Sequence, residues 1–245
     1  MPENAVARKQ GSAKIAAGEC RRPRLWETAF KAVAGLMAAL ALFTFTSGSA
    51  ADAAEARTVR IVAFGDSLTA GYGLPASAAF PAQLEAALRA KGLDVSVENA
   101  GVSGETASQG LARLDWSIGE GTDAVIVELG ANDMLRGLAP ATARAALTQI
   151  VQRLKARGIT VLLAGMRAAP NLGKPYQETF DRIFPDLAAA EGVLLYPFFL
   201  DGVAGERAMV QPDGLHPTAE GVRRIVSGIL PKAEELVAQV QAKGR

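Results

Sequence analysis

The chain holds one histidine, so imidazole chemistry has a single possible seat: His216, in the segment Asp213-Gly214-Leu215-His216-Pro217. Acyl transfer by a side-chain hydroxyl needs a nucleophile, an imidazole to take its proton, a carboxylate to orient the ring, and donors for the oxyanion. Four glycine-containing segments carry those types. Gly65-Asp66-Ser67-Leu68-Thr69 follows an apolar run and presents Ser67 on a tight turn. Asp213 stands three residues before His216, on a turn whose Gly214 lets the carboxylate fold back to the ring. Gly104, in Asn99-Ala100-Gly101-Val102-Ser103-Gly104-Glu105-Thr106, lacks a side chain, so its N–H can come close to an oxyanion. Asn132, in Gly130-Ala131-Asn132-Asp133, offers an amide donor.

Taken singly, each segment has a plainer reading. Asp and Ser suit turns and helix N-caps, and a lone glycine suits any turn. Asp66 and Asp133, beside the candidates, read as loop organisers rather than chemical groups. Together the segments supply Ser67, Asp213 and His216 as a catalytic triad, with the Ser67 and Gly104 N–H groups and the Asn132 amide as oxyanion donors. The G-x-S-x-G nucleophile elbow occurs nowhere, which disfavours an ordinary α/β-hydrolase.

Composition narrows the classes further. The 245 residues carry a formal charge of +1, no basic footprint for nucleic acid. One Cys cannot form an internal disulfide, and one Cys with one His cannot make a zinc site from N and S ligands alone. Hydrophobic residues make up 49%, enough apolar surface for a globular core.

Residues 1–56 read as an address. Arg21, Arg22, Arg24 and Lys31 lead into Ala32–Phe45, 14 residues without a charge. A membrane span needs about 20 apolar residues, so this run fits the core of a secretory signal better. Ser49-Ala50-Ala51, Ala51-Asp52-Ala53 and Ala54-Glu55-Ala56 offer small-x-Ala cleavage sites, placing the cut between Ala50 and Ala56. The expected product is periplasmic or secreted, without stable membrane insertion, and free of cysteine because Cys20 leaves with the signal. Residues 57–245 then carry 19 basic and 20 acidic residues, a net −1, and amount to one domain.

The elements that must position the candidate groups alternate. Strands are expected at Thr58–Phe64, Asp94–Glu98, Ala124–Leu129, Ile159–Ala164 and Val193–Tyr196, all short and apolar or β-branched. Helices are expected at Ser77–Lys91, Thr106–Leu114, Ala141–Arg157 and Tyr176–Ala190, then at Thr218–Leu230 and Lys232–Gln241 on either side of Pro231. Alternation on this scale implies βαβ units and a mostly parallel sheet. Ligands of such sheets bind beyond the carboxyl ends of the strands, where the four polar segments fall. Met166–Pro175, with Pro170 and Leu172, and the Leu74-Pro75 loop are expected to border the acyl side.

The four segments resemble, in order and spacing, the four sequence blocks of the SGNH, or GDSL, hydrolases. GDSLTAGYGL, SGETASQGLARL, VELGANDMLRG and DGLHP are closest to the subgroup of exported thioesterases, lysophospholipases and arylesterases. Ala131 departs from it, since close relatives often carry Gly there. The resemblance implies a three-layer α/β/α, flavodoxin-like fold around a five-stranded parallel sheet, with no cofactor and no metal. It implies a serine esterase that hydrolyses small-molecule carboxylic esters and acyl thioesters through an acyl-enzyme on Ser67. The alternatives are a carbohydrate O-acetyl esterase and a noncatalytic binding module on the same fold.

Overall fold

The computed structural model describes residues 57–244, and the leader read in residues 1–56 lies outside them. Five strands form: β1 (Val59–Gly65), β2 (Val95–Gly101), β3 (Ala124–Glu128), β4 (Thr160–Ala164) and β5 (Leu194–Tyr196). β3 and β4 are buried at every position, and β1 at every position but one. That is why they read as nearly continuous apolar runs: helices cover both faces of the sheet. All pairings are parallel, in the order β2-β1-β3-β4-β5.

Among the described residues, eight α-helices connect and cover the strands: α1 (Ser67–Ala70), α2 (Phe80–Ala90), α3 (Ala107–Ser117), α4 (Ala131–Leu135), α5 (Pro140–Ala156), α6 (Lys174–Asp181), α7 (Ile183–Glu191) and α8 (Ala219–Lys243). On one side α2 packs on α8; on the other α5 packs on both α3 and α7. The core between these layers includes Phe64, Ile126, Leu147, Ile150, Phe184, Ile225 and Ile229. The expected three-layer, five-stranded parallel architecture is the one observed.

Strand register sets the site. Gly65, the last residue of β1, lies opposite Gly101 of β2 on one side and Glu128 of β3 on the other. Three strand ends are therefore level, and the loops leaving them emerge together. From β1 the chain order runs to β2 in one direction and to β3 in the other, so this edge is the topological switch point.

Three expectations need correction. Pro231 does not split the last helix: α8 runs unbroken from Ala219 to Lys243. Its ring is exposed, and so is Ser227, whose carbonyl loses its i+4 partner and can turn to water. The buried stripe Val222, Ile225, Val226, Ile229, Ala233, Leu236, Val237 and Val240 continues across the proline, and its packing outweighs the lost bond. β2 continues to Gly101, because pairing with β1 carries the strand through Asn99 and Ala100. The single helix expected at Tyr176–Ala190 is two, α6 and α7, meeting at Arg182.

Candidate active site

The nucleophile turn is shaped by what lies beneath it. A Cβ on Gly65 would stand 2.1 Å from Thr69 Oγ1 and 2.5 Å from the Glu128 carbonyl oxygen, so only glycine lets β1 end this close to β3. Asp66 caps α1, its Oδ1 accepting the Leu68 N–H at 3.0 Å. Ser67 is the first residue of α1, where a backbone N–H has no intrahelical acceptor.

His216 reaches the same point from the loop before α8. Its Nε2 lies 2.9 Å from Ser67 Oγ, and its Nδ1 lies 2.6 Å from Asp213 Oδ2. A carboxylate only accepts, so Nδ1–H donates to Asp213 and Nε2 is left to take the Ser67 proton. Asp213 is held by its own turn, its Oδ1 accepting N–H groups from Leu215 at 2.9 Å and His216 at 3.0 Å. Those bonds and the ring N–H hold the Asp213 carboxyl down at about 2.

The two oxyanion candidates come from the neighbouring strand ends. Gly104 has φ +85°, a left-handed conformation that suits glycine, and its carbonyl accepts Arg136 Nη2 at 2.5 Å. Asn132, in α4, donates one amide hydrogen to Asp66 Oδ2 at 2.9 Å. That bond sets the amide's rotation, leaving its second hydrogen free. Asp133 accepts the Ala107 N–H at the start of α3, at 2.8 Å, and so ties the Asn132 helix to the Gly104 loop. Ser67, Gly104, Asn132 and His216 all line one cavity of about 680 Å³. Every predicted site residue is thus at one edge of the sheet, with Asp213 behind the imidazole.

Two buried ionisable groups beneath the site were not singled out from the sequence. Arg113 of α3 donates to Glu105 Oε2 at 2.5 Å, to the Ala100 carbonyl at 2.9 Å and to the Gly65 carbonyl at 3.1 Å, with its guanidinium 4.2 Å from the centre of the Phe64 ring. Glu128 is fully buried at the end of β3, where its Oε2 accepts Thr69 Oγ1–H at 2.8 Å. Burial, with the Asp66 charge beside it, pushes the Glu128 carboxyl well above the carboxylate range. Burial likewise raises Asp66, to about 6, against the pull of its bonds from Leu68 and Asn132. Asp133 is raised by burial too. The signal for Glu128 was visible in Ala124–Leu129: a single acid within an otherwise apolar strand.

The cavity walls are mostly apolar. Met134, Leu135, Met166, Ala168, Phe198 and Val210 contribute, with Tyr72 and Arg167 toward solvent. The expectation for Met166–Pro175 holds for Met166 through Pro170 only. Leu172 and Leu74 do not line the cavity; both pack against the core instead. The far wall comes from Phe198, Leu200 and Leu215, on the long loop between β5 and α8. Among the described residues, no three His, Cys, Asp or Glu side chains converge as ligands for a metal ion.

Comparison with known proteins places this arrangement. Residues 63–224 match the GDSL-like lipase/acylhydrolase family. Esterase TesA of Pseudomonas aeruginosa is 41% identical over 185 residues, covering 75% of this chain and 91% of that protein. Thioesterase 1/protease 1/lysophospholipase L1 of Escherichia coli is 41% identical over 186 residues, covering 76% of this chain and 87% of that protein. The crystal structure of AlinE4, an SGNH-hydrolase family esterase, superposes with a TM-score of 0.62 at 47% identity, covering 73% of this chain and 96% of that one.

Proposed function

The chain belongs to the GDSL-like lipase/acylhydrolase family, and we propose that it works as a serine esterase and thioesterase through Ser67, His216 and Asp213. The observation that carries the assignment of residues is the unbroken hydrogen-bond chain from Ser67 Oγ through both ring nitrogens to Asp213, at 2.9 and 2.6 Å, facing an apolar cavity. Ser67 Oγ attacks the acyl carbonyl while His216 Nε2 takes its proton. Asp213 holds the ring tautomer and balances the imidazolium. The Ser67 and Gly104 N–H groups and the free Asn132 amide hydrogen receive the oxyanion. The imidazolium then protonates the leaving alkoxide or thiolate, and water, deprotonated by the same ring, releases the acid.

The cavity walls support an acyl chain as the bound group. Sugars need several convergent polar side chains, whereas beyond the catalytic groups only Tyr72, Ser103 and Arg167 stand among walls of Met134, Met166, Phe198 and Val210, which speaks against a carbohydrate O-acetyl esterase. Apolar walls discriminate chain length weakly, since each methylene is worth about 1–3 kcal/mol, so aryl esters, acyl thioesters and lysophospholipids all fit the reading. The apolar run Ala32–Phe45 and the small-x-Ala sites after it support action outside the cytoplasm. A series of p-nitrophenyl esters from acetyl to dodecanoyl, with a long-chain acyl thioester and a lysophospholipid, tests the substrate class. Activity that rises or holds beyond acetyl supports an acyl cavity, and activity on acetyl esters alone contradicts it.

A further inference from the structure

The proposed mechanism uses the Asn132 amide but does not explain what keeps it turned the right way. Asn132 gives one hydrogen to Asp66 Oδ2, and Asp66 Oδ1 is taken by the Leu68 N–H. Asp66 can serve both donors only while it accepts through both oxygens. It sits fully buried one residue beyond Gly65, which lies opposite Glu128 across the sheet, and Glu128 is fully buried too, so each carboxyl feels the charge of the other. Two carboxylates cannot both ionise in such a place: like charges repel there with little screening, and water is not at hand to solvate them.

The partners of Glu128 show which group holds the proton. Its Oε2 accepts from Thr69, while its Oε1 has no hydrogen-bond donor among the described residues. A buried carboxylate oxygen without a donor is costly, because burial has taken away the water that would otherwise solvate it. A proton on Oε1 reverses its role, making it a donor, and the carboxylate of neighbouring Asp66 is the acceptor we assign to it. Every polar atom of the cluster is then matched: Thr69 to Glu128, Glu128 to Asp66, and Leu68 and Asn132 to Asp66.

We propose that Glu128 is a neutral carboxylic acid that donates its proton to Asp66, and that it acts as a positioning residue for the Asn132 oxyanion donor. Glu128 touches no reacting atom. It keeps Asp66 anionic and in place, and Asp66 in turn keeps the Asn132 nitrogen, not its oxygen, toward the cavity. Fully buried Thr69 completes the set by holding the other Glu128 oxygen.

The proposal rests on the serine-esterase reading, and two variants test it. Glu128→Gln keeps the shape, accepts from Thr69 through its carbonyl and donates to Asp66 through its amide, so it copies the neutral acid. Its kcat on p-nitrophenyl butyrate is expected within about threefold of wild type. Glu128→Leu removes the donor, and kcat is expected to fall about 10- to 100-fold with KM unchanged within about twofold, as for a displaced oxyanion donor. Infrared difference spectra between the full chain and Glu128→Gln add a readout independent of turnover. At about pH 8, where ordinary carboxyls are ionised, wild type should show a protonated-carboxyl stretch that the variant lacks. A Gln variant as impaired as a folded Leu variant would overturn the proposal. So would a folded Leu variant with wild-type kcat, or no such band in wild type. Wild type that neither turns over the ester nor labels with a fluorophosphonate would overturn the esterase reading instead, and the infrared result would still decide the protonation of Glu128.

Discussion

Tyr72 lays its ring against His216, with centroids 4.5 Å apart and planes tilted by 35°. The two loops that carry these rings are also joined through Gln211, whose Nε2 donates to the Tyr72 carbonyl at 2.7 Å and whose N–H donates to the His216 carbonyl at 2.7 Å. An aromatic face beside an imidazole gains most when the ring becomes a cation, by about 0.5–2 kcal/mol. Tyr72→Phe should therefore keep kcat within about twofold, while Tyr72→Ala should lower it about 3- to 30-fold. Steady-state kinetics on an aryl ester checks this, and an unchanged kcat for Tyr72→Ala would remove the role.

Asp66 links acid pH to both stability and activity. Burial raises its folded value to about 6 from an ordinary 3.8. The folded state therefore holds more protons than the unfolded state between those values, and stability falls as pH rises through that window, by on the order of 2–3 kcal/mol. Asp66→Asn removes this dependence, so the Tm difference between wild type and variant should move against wild type on going from pH 4 to pH 7. Calorimetry at both values reads it, and a constant difference would contradict it. The same variant can accept from only one of Leu68 and Asn132, so its kcat should fall about 10- to 100-fold.

Asn132→Ala removes one oxyanion donor and should lower kcat about 10²- to 10³-fold with little change in KM. A parallel loss in affinity without loss in kcat would mean that Asn132 binds the substrate ground state instead.

Arg113 concerns stability, not chemistry. It joins the ends of β1 and β2 to Glu105 from a buried position, and a point-charge ammonium cannot reproduce those directions. Arg113→Ala leaves Glu105 and two carbonyls without their donor, a loss of about 3–5 kcal/mol. Arg113→Lys should recover only part of it. Urea unfolding followed by circular dichroism measures both.

Much of the site was legible because its chemistry is local in sequence. Asp213 and His216 are three residues apart, Ser67 and Asn132 each follow closely on the end of a strand, and alternation alone places those ends at one edge. The residues that join these segments were harder to see. Glu128 and Thr69 are 59 positions apart, and Arg113 is 48 positions from the Gly65 carbonyl that it holds; no periodicity encodes such pairs. Pro231 misled in the opposite way, since a local breaker rule lost to a buried stripe that spans it. Leu172 and Leu74 were assigned to the cavity by hydrophobicity, which does not distinguish a wall residue from a core residue.

Covalent capture of Ser67 tests the central claim most directly. The purified chain should react with a fluorophosphonate probe, and peptide mass mapping should place the adduct on Ser67. Ser67→Ala should neither label nor hydrolyse p-nitrophenyl esters while keeping the wild-type circular dichroism spectrum. An adduct at another residue, or hydrolysis by Ser67→Ala at the wild-type rate, would contradict the account.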